Sequence, residues 1–206
     1  MFFTKGHRAK WFWQSAFIGG IYVDDETLTF VIMSSKGGNP QLLATFHLSM
    51  RTSEPENKTE IEEEFEAFAN RIGGLQRVSF YVVSAQFQVI PLVLPSEIDE
   101  YEAIACAQLK LKQQQNSDDW LWDVELDRQN SKLWLLSKAQ FNKLFAHLAR
   151  LNIQKRSVRS WQPLAAMQDK RAEAERFFIR NAVDNPEKNQ RELVLATAAA
   201  LFGLGV

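Results

Sequence analysis

The sequence predicts an α/β protein, and three stretches predict it. Residues 17–24, 27–34 and 41–49 are strand-like segments in series, joined by short polar turns. That is the pattern of an antiparallel meander. Residues 78–83 form a near-continuous apolar run, as expected of a strand covered on both faces. Residues 89–127 then read as strand, capped helix and strand, and the rest of the chain is organised around them.

Each element has its own signal. In the second strand Leu28, Phe30 and Ile32 alternate with Thr27, Thr29 and Val31, which makes one face the more apolar. Gly37, Gly38, Asn39 and Pro40 are a turn cluster. Thr59 and Glu62 have capping-box spacing. The helix after them carries Ile61, Phe65, Phe68 and Ile72 on one stripe, and Gly73-Gly74 suits its end. Glu60, Glu62, Glu63, Glu64 and Glu66 point all round that helix. They read as a solvated face and not as a metal site, because consecutive helical positions do not converge on one ion.

The apolar strand 89–95 is expected to stop at Pro95. Ser96 and Asp99 have the spacing of a second box, after which Ile98, Tyr101, Ala105 and Leu109 share one helical face. Gln113 to Asn116 end that face. Trp120, Trp122 and Val124 alternate with Leu121, Asp123 and Glu125 as a strand, Gln129-Asn130 make a turn, and 132–136 form the next strand. Ser137 and Gln140 are a third box, followed by a helix with Phe141, Leu144, Phe145 and Leu148 inward. A basic strand over 153–160, with Lys155, Arg156 and Arg159, reads as a sheet edge. Residues 161–167 turn helical. Residues 168–176 are a charged stem or a linker. Asn185-Pro186-Glu187 is a helix start, and Gly203 suits the end of the last helix.

Composition excludes several classes of function. The chain has 206 residues and a net charge of −1, so no strong field draws in nucleic acid or an anionic membrane. Cys106 is the single cysteine and reads as a small buried hydrophobe in a reducing, cytosolic setting. His7, His47 and His147 offer little for a triad or a histidine metal site. Phosphate-loop, dinucleotide, serine-hydrolase and zinc motifs are absent. The apolar window 193–206 is shorter than the about 20 residues of a membrane span and reads as a core helix. The aromatic and basic residues of 1–14 read as docking on the chain's own body or as disordered, with a membrane interface as the alternative.

The order of elements carries a resemblance. Gly20-Ile21-Tyr22-Val23-Asp24, followed by the strand from Leu28 to Met33, resembles the first hairpin of the actin-like ATPase fold. Val93-Leu94-Pro95 leading into an acidic-started helix, Asp123 in the following strand and the small-residue helix near the end resemble the PilM family of cytoplasmic type IV pilus assembly proteins. Competence protein A and HofM-type proteins of DNA uptake are related to it. The resemblance implies the first lobe of an actin-like (ribonuclease H-like) fold with an inserted αββαβ subdomain and no second lobe. The implied division is 1–95 with the closing helix 186–206, then 96–168 as the insertion, then 169–189 as a linker in place of the second lobe.

The same resemblance implies a function. The family's phosphate turn resembles Gly-Ile-Asp-Ile-Gly; here Tyr22 replaces the Asp and Asp24 the second Gly. The turn Gly20, Tyr22, Asp24 is therefore degenerate: a magnesium-site carboxylate is gone, and a negative side chain stands where amides would meet phosphate. No cofactor, no metal and no catalytic residue is expected. In the family an N-terminal tail of the membrane protein PilN docks between the first subdomain and the inserted one. By position this implies Tyr101, Ala105, Gln108, Leu109, Lys112, Trp120 and Trp122 as partner-binding residues. The expectation is a non-catalytic adaptor at the inner face of the inner membrane. It would bind a PilN-like tail, have other pilus assembly components as further partners, and make no direct contact with nucleic acid. The alternatives are a degenerate actin-like ATPase that borrows a lobe from a partner chain, and an unrelated regulatory α/β domain.

Overall fold

The computed structural model describes residues 17–34, 40–49, 55–95, 97–114, 117–127, 131–181 and 190–204. Its main sheet has five strands in the order β3-β2-β1-β4-β8. Strands β1 (Phe17–Val23), β2 (Thr27–Ser34) and β3 (Gln41–Ser49) are the antiparallel meander. Strand β4 (Val78–Ser84) runs parallel to β1, and β8 (Val158–Pro163) runs parallel to β4. A second sheet, ordered β5-β7-β6, joins β5 (Gln88–Pro91), β6 (Trp120–Glu125) and β7 (Lys132–Ser137), with β7 antiparallel to both neighbours. This is the mixed α/β architecture that the sequence predicts.

Helices cover both faces of the large sheet. Helices α1 (Pro55–Arg71) and α3 (Lys138–Arg150) lie on one face, where Phe65, Phe68, Leu144 and Leu148 meet Ile21, Phe30, Phe80 and Val82. The rings of Phe30 and Phe65 are 5.2 Å apart at their centroids. Helices α4 (Gln168–Asn181) and α5 (Gln190–Leu204) cover the other face, over Ile18, Tyr22, Val31, Met33 and Val83. Strand β2 is thus buried on both faces rather than one, since Val31 and Met33 lie under α5.

The approach of α5 is unusually close. A Cβ on Gly20 would stand 1.8 Å from the Ala196 carbonyl oxygen and 2.6 Å from the Ala200 nitrogen. A Cβ on Gly203 would run into the ring of Tyr81, at 2.3 Å. The alanine run of α5 and the glycine of β1 let the two backbones touch, and side chains would hold them apart. No helix among the described residues is long and apolar enough to cross a membrane.

Several boundaries differ from those expected. Helix α1 begins at Pro55, ahead of the box predicted at Thr59. It ends as predicted: Gly73 and Gly74 have positive φ, and the Gly74 amide donates to the Ala69 carbonyl at 2.8 Å. Strand β5 stops at Pro91, short of Pro95, and Val93 is 95% exposed. Helix α2 (Glu100–Gln114) is capped by Asp99 and Glu102. The Glu102 amide donates to Asp99 Oδ1 at 2.8 Å and the Asp99 amide to Glu102 Oε2 at 3.2 Å. The box is therefore present, displaced by three residues from the one predicted at Ser96, which lies outside the described residues. The Ser137–Gln140 box forms as expected, with the Gln140 amide 3.1 Å from Ser137 Oγ.

The pairing also divides the chain differently from 1–95 and 96–168. Strand β5 belongs to the small sheet, whereas α3 and β8 belong to the large one. The basic strand begins late: Lys155–Ser157 is a 3₁₀ turn, and Trp161–Pro163, expected to be helical, completes β8. The charged stem is helix α4. Gly203, expected at a helix end, lies within α5. The turn clusters at 37–40 (all but Pro40) and 129–130 and the helix start at 185–187 lie outside the described residues, as do residues 1–14.

Candidate functional site

Because β1, β4 and β8 are parallel, their C-terminal ends fall together. Open α/β sheets hold ligands at that end. Here it is made by Val23, Ser84 and Pro163, with the turn to β2 and the entry to the small sheet beside them.

The turn after β1 is closed by Asp24. Its Oδ1 accepts from the amides of Glu26 and Thr27, at 2.8 and 2.7 Å, and from Thr27 Oγ1 at 3.0 Å. The Asp24 amide donates to the Thr27 carbonyl at 3.1 Å. An Asp that binds the amides two and three residues on is a local turn former. Burial works against ionising Asp24, but those donors and the Tyr22 hydroxyl outweigh it, and the carboxyl lies below its usual range. Tyr22 is pushed up to about 12, first by burial and then by the charge of Asp24. The amides of Glu26 and Thr27 are thus occupied by a carboxylate of the same chain. Gly20, at the start of the expected phosphate turn, is covered by α5.

This pair predicts a two-sided pH dependence. Asp24 has a folded-state pKa below its unfolded one, so its contribution is complete above the unfolded value of 3.8 and is lost as pH falls through the depressed value. Tyr22 is shifted upward, so its contribution is complete below its unfolded value of 10.0 and is lost as pH rises through about 12. Urea unfolding followed across pH should show Asp24→Asn flattening the acid limb and Tyr22→Phe flattening the alkaline one. An acid limb of undiminished slope in Asp24→Asn would refute the assignment.

Next to this turn a cleft of about 370 Å³ opens between the two sheets. The large sheet contributes Ser84 and Pro163, and the 3₁₀ turn after β8 adds Leu164 and Met167. The small sheet and its entry contribute Phe87, Val89 and Trp134, and α5 contributes Leu195. Trp134 is held by its neighbours: Nε1 donates to Glu125 Oε2 at 3.0 Å, and the Lys132 ammonium lies 5.8 Å from the ring centroid. Two arginines, Arg171 and Arg191, also line it. Among the described residues no group of three or more His, Cys, Asp or Glu is placed to hold a metal ion. His47 hydrogen-bonds Thr29 through Nδ1 at 2.8 Å.

The partner-binding residues inferred from the resemblance do not lie in this cleft, and the fold separates them into two groups. Tyr101, Ala105, Gln108, Leu109 and Lys112 lie on the outer face of α2, where Tyr101 is 85% and Leu109 61% exposed. Trp120 and Trp122 lie beneath the opposite face, in a small core with Ala107, Leu111, Leu133 and Leu135. Both α2 stripes recur at helical spacing. Ala103, Ala107 and Leu111 are the buried stripe, and Ala107 and Leu111 pack with Trp120 and Trp122. Phe87, Val89 and Trp134 were missed as a group. The one signal available was an apolar residue at an outward position of an alternating strand.

No protein-family model matches the chain, and no curated protein matches it. Solved structures do. The cytoplasmic domain of EpsL, an inner-membrane component of the type II secretion system of Vibrio cholerae, is similar with a TM-score of 0.50 at 13% identity. That match covers 73% of this chain and 58% of the EpsL chain. A Bacteroides thetaiotaomicron protein with an actin-like ATPase fold matches with a TM-score of 0.39 at 16% identity, over 83% of this chain and 59% of that one. The PilM–PilN type IV pilus biogenesis complex matches with a TM-score of 0.43 at 14% identity, over 80% and 52%. The likeness to EpsL shows a shared fold. The chain spans between about half and three fifths of these three structures.

Proposed function

We propose that the chain is a non-catalytic docking domain of an inner-membrane secretion or pilus-assembly machine. It works at the cytoplasmic face and receives the tail of a membrane partner of the PilN type. The observation that carries this reading is the state of the strand ends. The turn that would cradle phosphate is closed on Asp24, while a cleft walled in part by Phe87, Val89 and Trp134 stands open beside it between the two sheets. The fold shared with EpsL and the element order that resembles the PilM family support the same reading. An extended tail would seat apolar side chains against Phe87, Val89 and Trp134, in the manner of peptide grooves that take alternate side chains. The exposed stripe of α2, with Tyr101 and Leu109, is proposed as the contact for a second component of the assembly.

The test is calorimetric titration with a synthetic PilN-type tail. Val89, 45% exposed, can be changed without opening a core. Val89→Asp is expected to abolish binding, and Leu109→Asp to leave it intact. Loss in Leu109→Asp alone would move the tail to α2. Mg-ATP is expected to leave the melting temperature unchanged, since only a ligand of the folded state raises it. A rise with Mg-ATP would favour the ATPase reading.

A further inference from the structure

The cleft has a charge pattern that apolar docking does not require. Arg171 and Arg191 both line it, and no Asp or Glu is among its lining residues. The chain as a whole carries a charge of −1, so this concentration of positive charge is local. Each guanidinium stands in the first turn of its helix, α4 or α5, where the positive end of the backbone dipole adds to its charge. Arg171 has one carboxylate partner, Glu175, with Nε 2.9 Å from Oε1. That pair is largely exposed on both sides and therefore weak, and it engages Nε rather than the terminal nitrogens of the fork. Arg191 acts electrostatically on the Tyr22 hydroxyl, on which Asp24 and Glu192 act in the opposite sense. Across the cleft stand Phe87, Val89 and Trp134.

We infer that the cleft selects an acidic tail: an extended peptide whose Asp or Glu carboxylate is received by Arg171 and Arg191, with an apolar neighbour seated against Val89 and Trp134. This rests on the docking reading above and specifies its partner. Arg is suited to the task because its planar fork can donate two parallel hydrogen bonds to one carboxylate. A half-enclosed, partly apolar site strengthens that contact relative to open solvent.

The experiment pans the full chain against random linear peptides, then measures the enriched sequences singly. Enrichment of Asp or Glu beside Leu, Ile or an aromatic residue is expected. Replacing that acid by its amide should weaken binding about tenfold, the scale of one hydrogen bond to a charged group. Arg191→Glu and Arg171→Glu, both at exposed positions, should fold as the parent does and shift the preference to Lys or Arg. Enriched peptides that are neutral at that position, or an acidic preference unchanged in both variants, would overturn the inference while leaving tail docking in place. Displacement of the peptide by inorganic phosphate at similar concentration would assign the arginines to phosphate and overturn it as well. If no peptide is enriched, or if Val89→Asp binds the enriched peptides as well as the parent, docking in the cleft falls together with the inference.

Discussion

Gly20→Val is expected to leave little folded protein. The side chain would start 1.8 Å from the Ala196 carbonyl oxygen and 2.6 Å from the Ala200 nitrogen, and both are backbone atoms in the middle of α5. A flexible side chain could swing away, but a helix backbone must move as a body and take Ala196, Ala199 and Ala200 out of the core. Overpacking of this kind costs about 3 kcal/mol or more, a large part of the ~5–15 kcal/mol that holds a domain together. Urea unfolding followed by circular dichroism measures it. The same experiment distinguishes two roles for this glycine. A glycine kept for the approach of a phosphate would tolerate substitution in the ligand-free protein. A glycine kept for the approach of α5 would not. A variant as stable as the parent would return the first role to Gly20. Gly203→Ala should cost less, because the Tyr81 ring it meets is a half-buried side chain and can turn.

Trp134→Ala carries the second large effect. Trp134 is 5% exposed in the central strand of the small sheet, with its indole nitrogen bonded to Glu125 and its ring forming a wall of the cleft. Truncating a buried tryptophan to alanine costs about 3–5 kcal/mol. Here it would also remove the surface proposed to seat the partner's apolar side chain. Trp134→Phe keeps most of the ring contact and loses the hydrogen bond to the Glu125 carboxylate, worth about 1.5–3 kcal/mol. The expected order of stability is parent, Phe, then Ala. The tail should still bind the Phe variant. Equal stability of the Ala variant and the parent would show that the small sheet does not depend on this ring.

Much of the large sheet was legible in the sequence. Strand β4 was legible from its near-continuous apolar run, although what pairs with it and covers it comes from distant segments. The meander, the Gly73-Gly74 stop and the Ser137 box each rest on interactions between near neighbours in the chain. So does the closing of the first turn on Asp24, although its acid was legible as an obstacle to phosphate and not as the group that builds the turn. What was not legible depended on partners far away in sequence. Tyr101, Ala105 and Leu109 have the spacing of a buried stripe as good as that of Ala103, Ala107 and Leu111. The stripe that is buried packs on the small sheet, with Leu133, Leu135, Trp120 and Trp122, which lie on other elements of the chain. Likewise β5 and β8 changed sheets relative to expectation, because strand pairing is a long-range contact that periodicity does not encode.

By itself the sequence determined that this protein is α/β, that its first strand leads into an acid, Asp24, and that its last helix is small-sided. Those properties are local: they follow from residue type and spacing along one stretch of chain. Only the tertiary structure decided what the small side chains are for and where a partner can enter. Gly20 meets α5, at a distance of some 176 positions along the chain, counted from Gly20 to Ala196. The cleft draws Phe87, Trp134, Arg171 and Arg191 from four separate segments. A site assembled across the fold has no spacing in the sequence, and so it becomes visible only once the strands are paired.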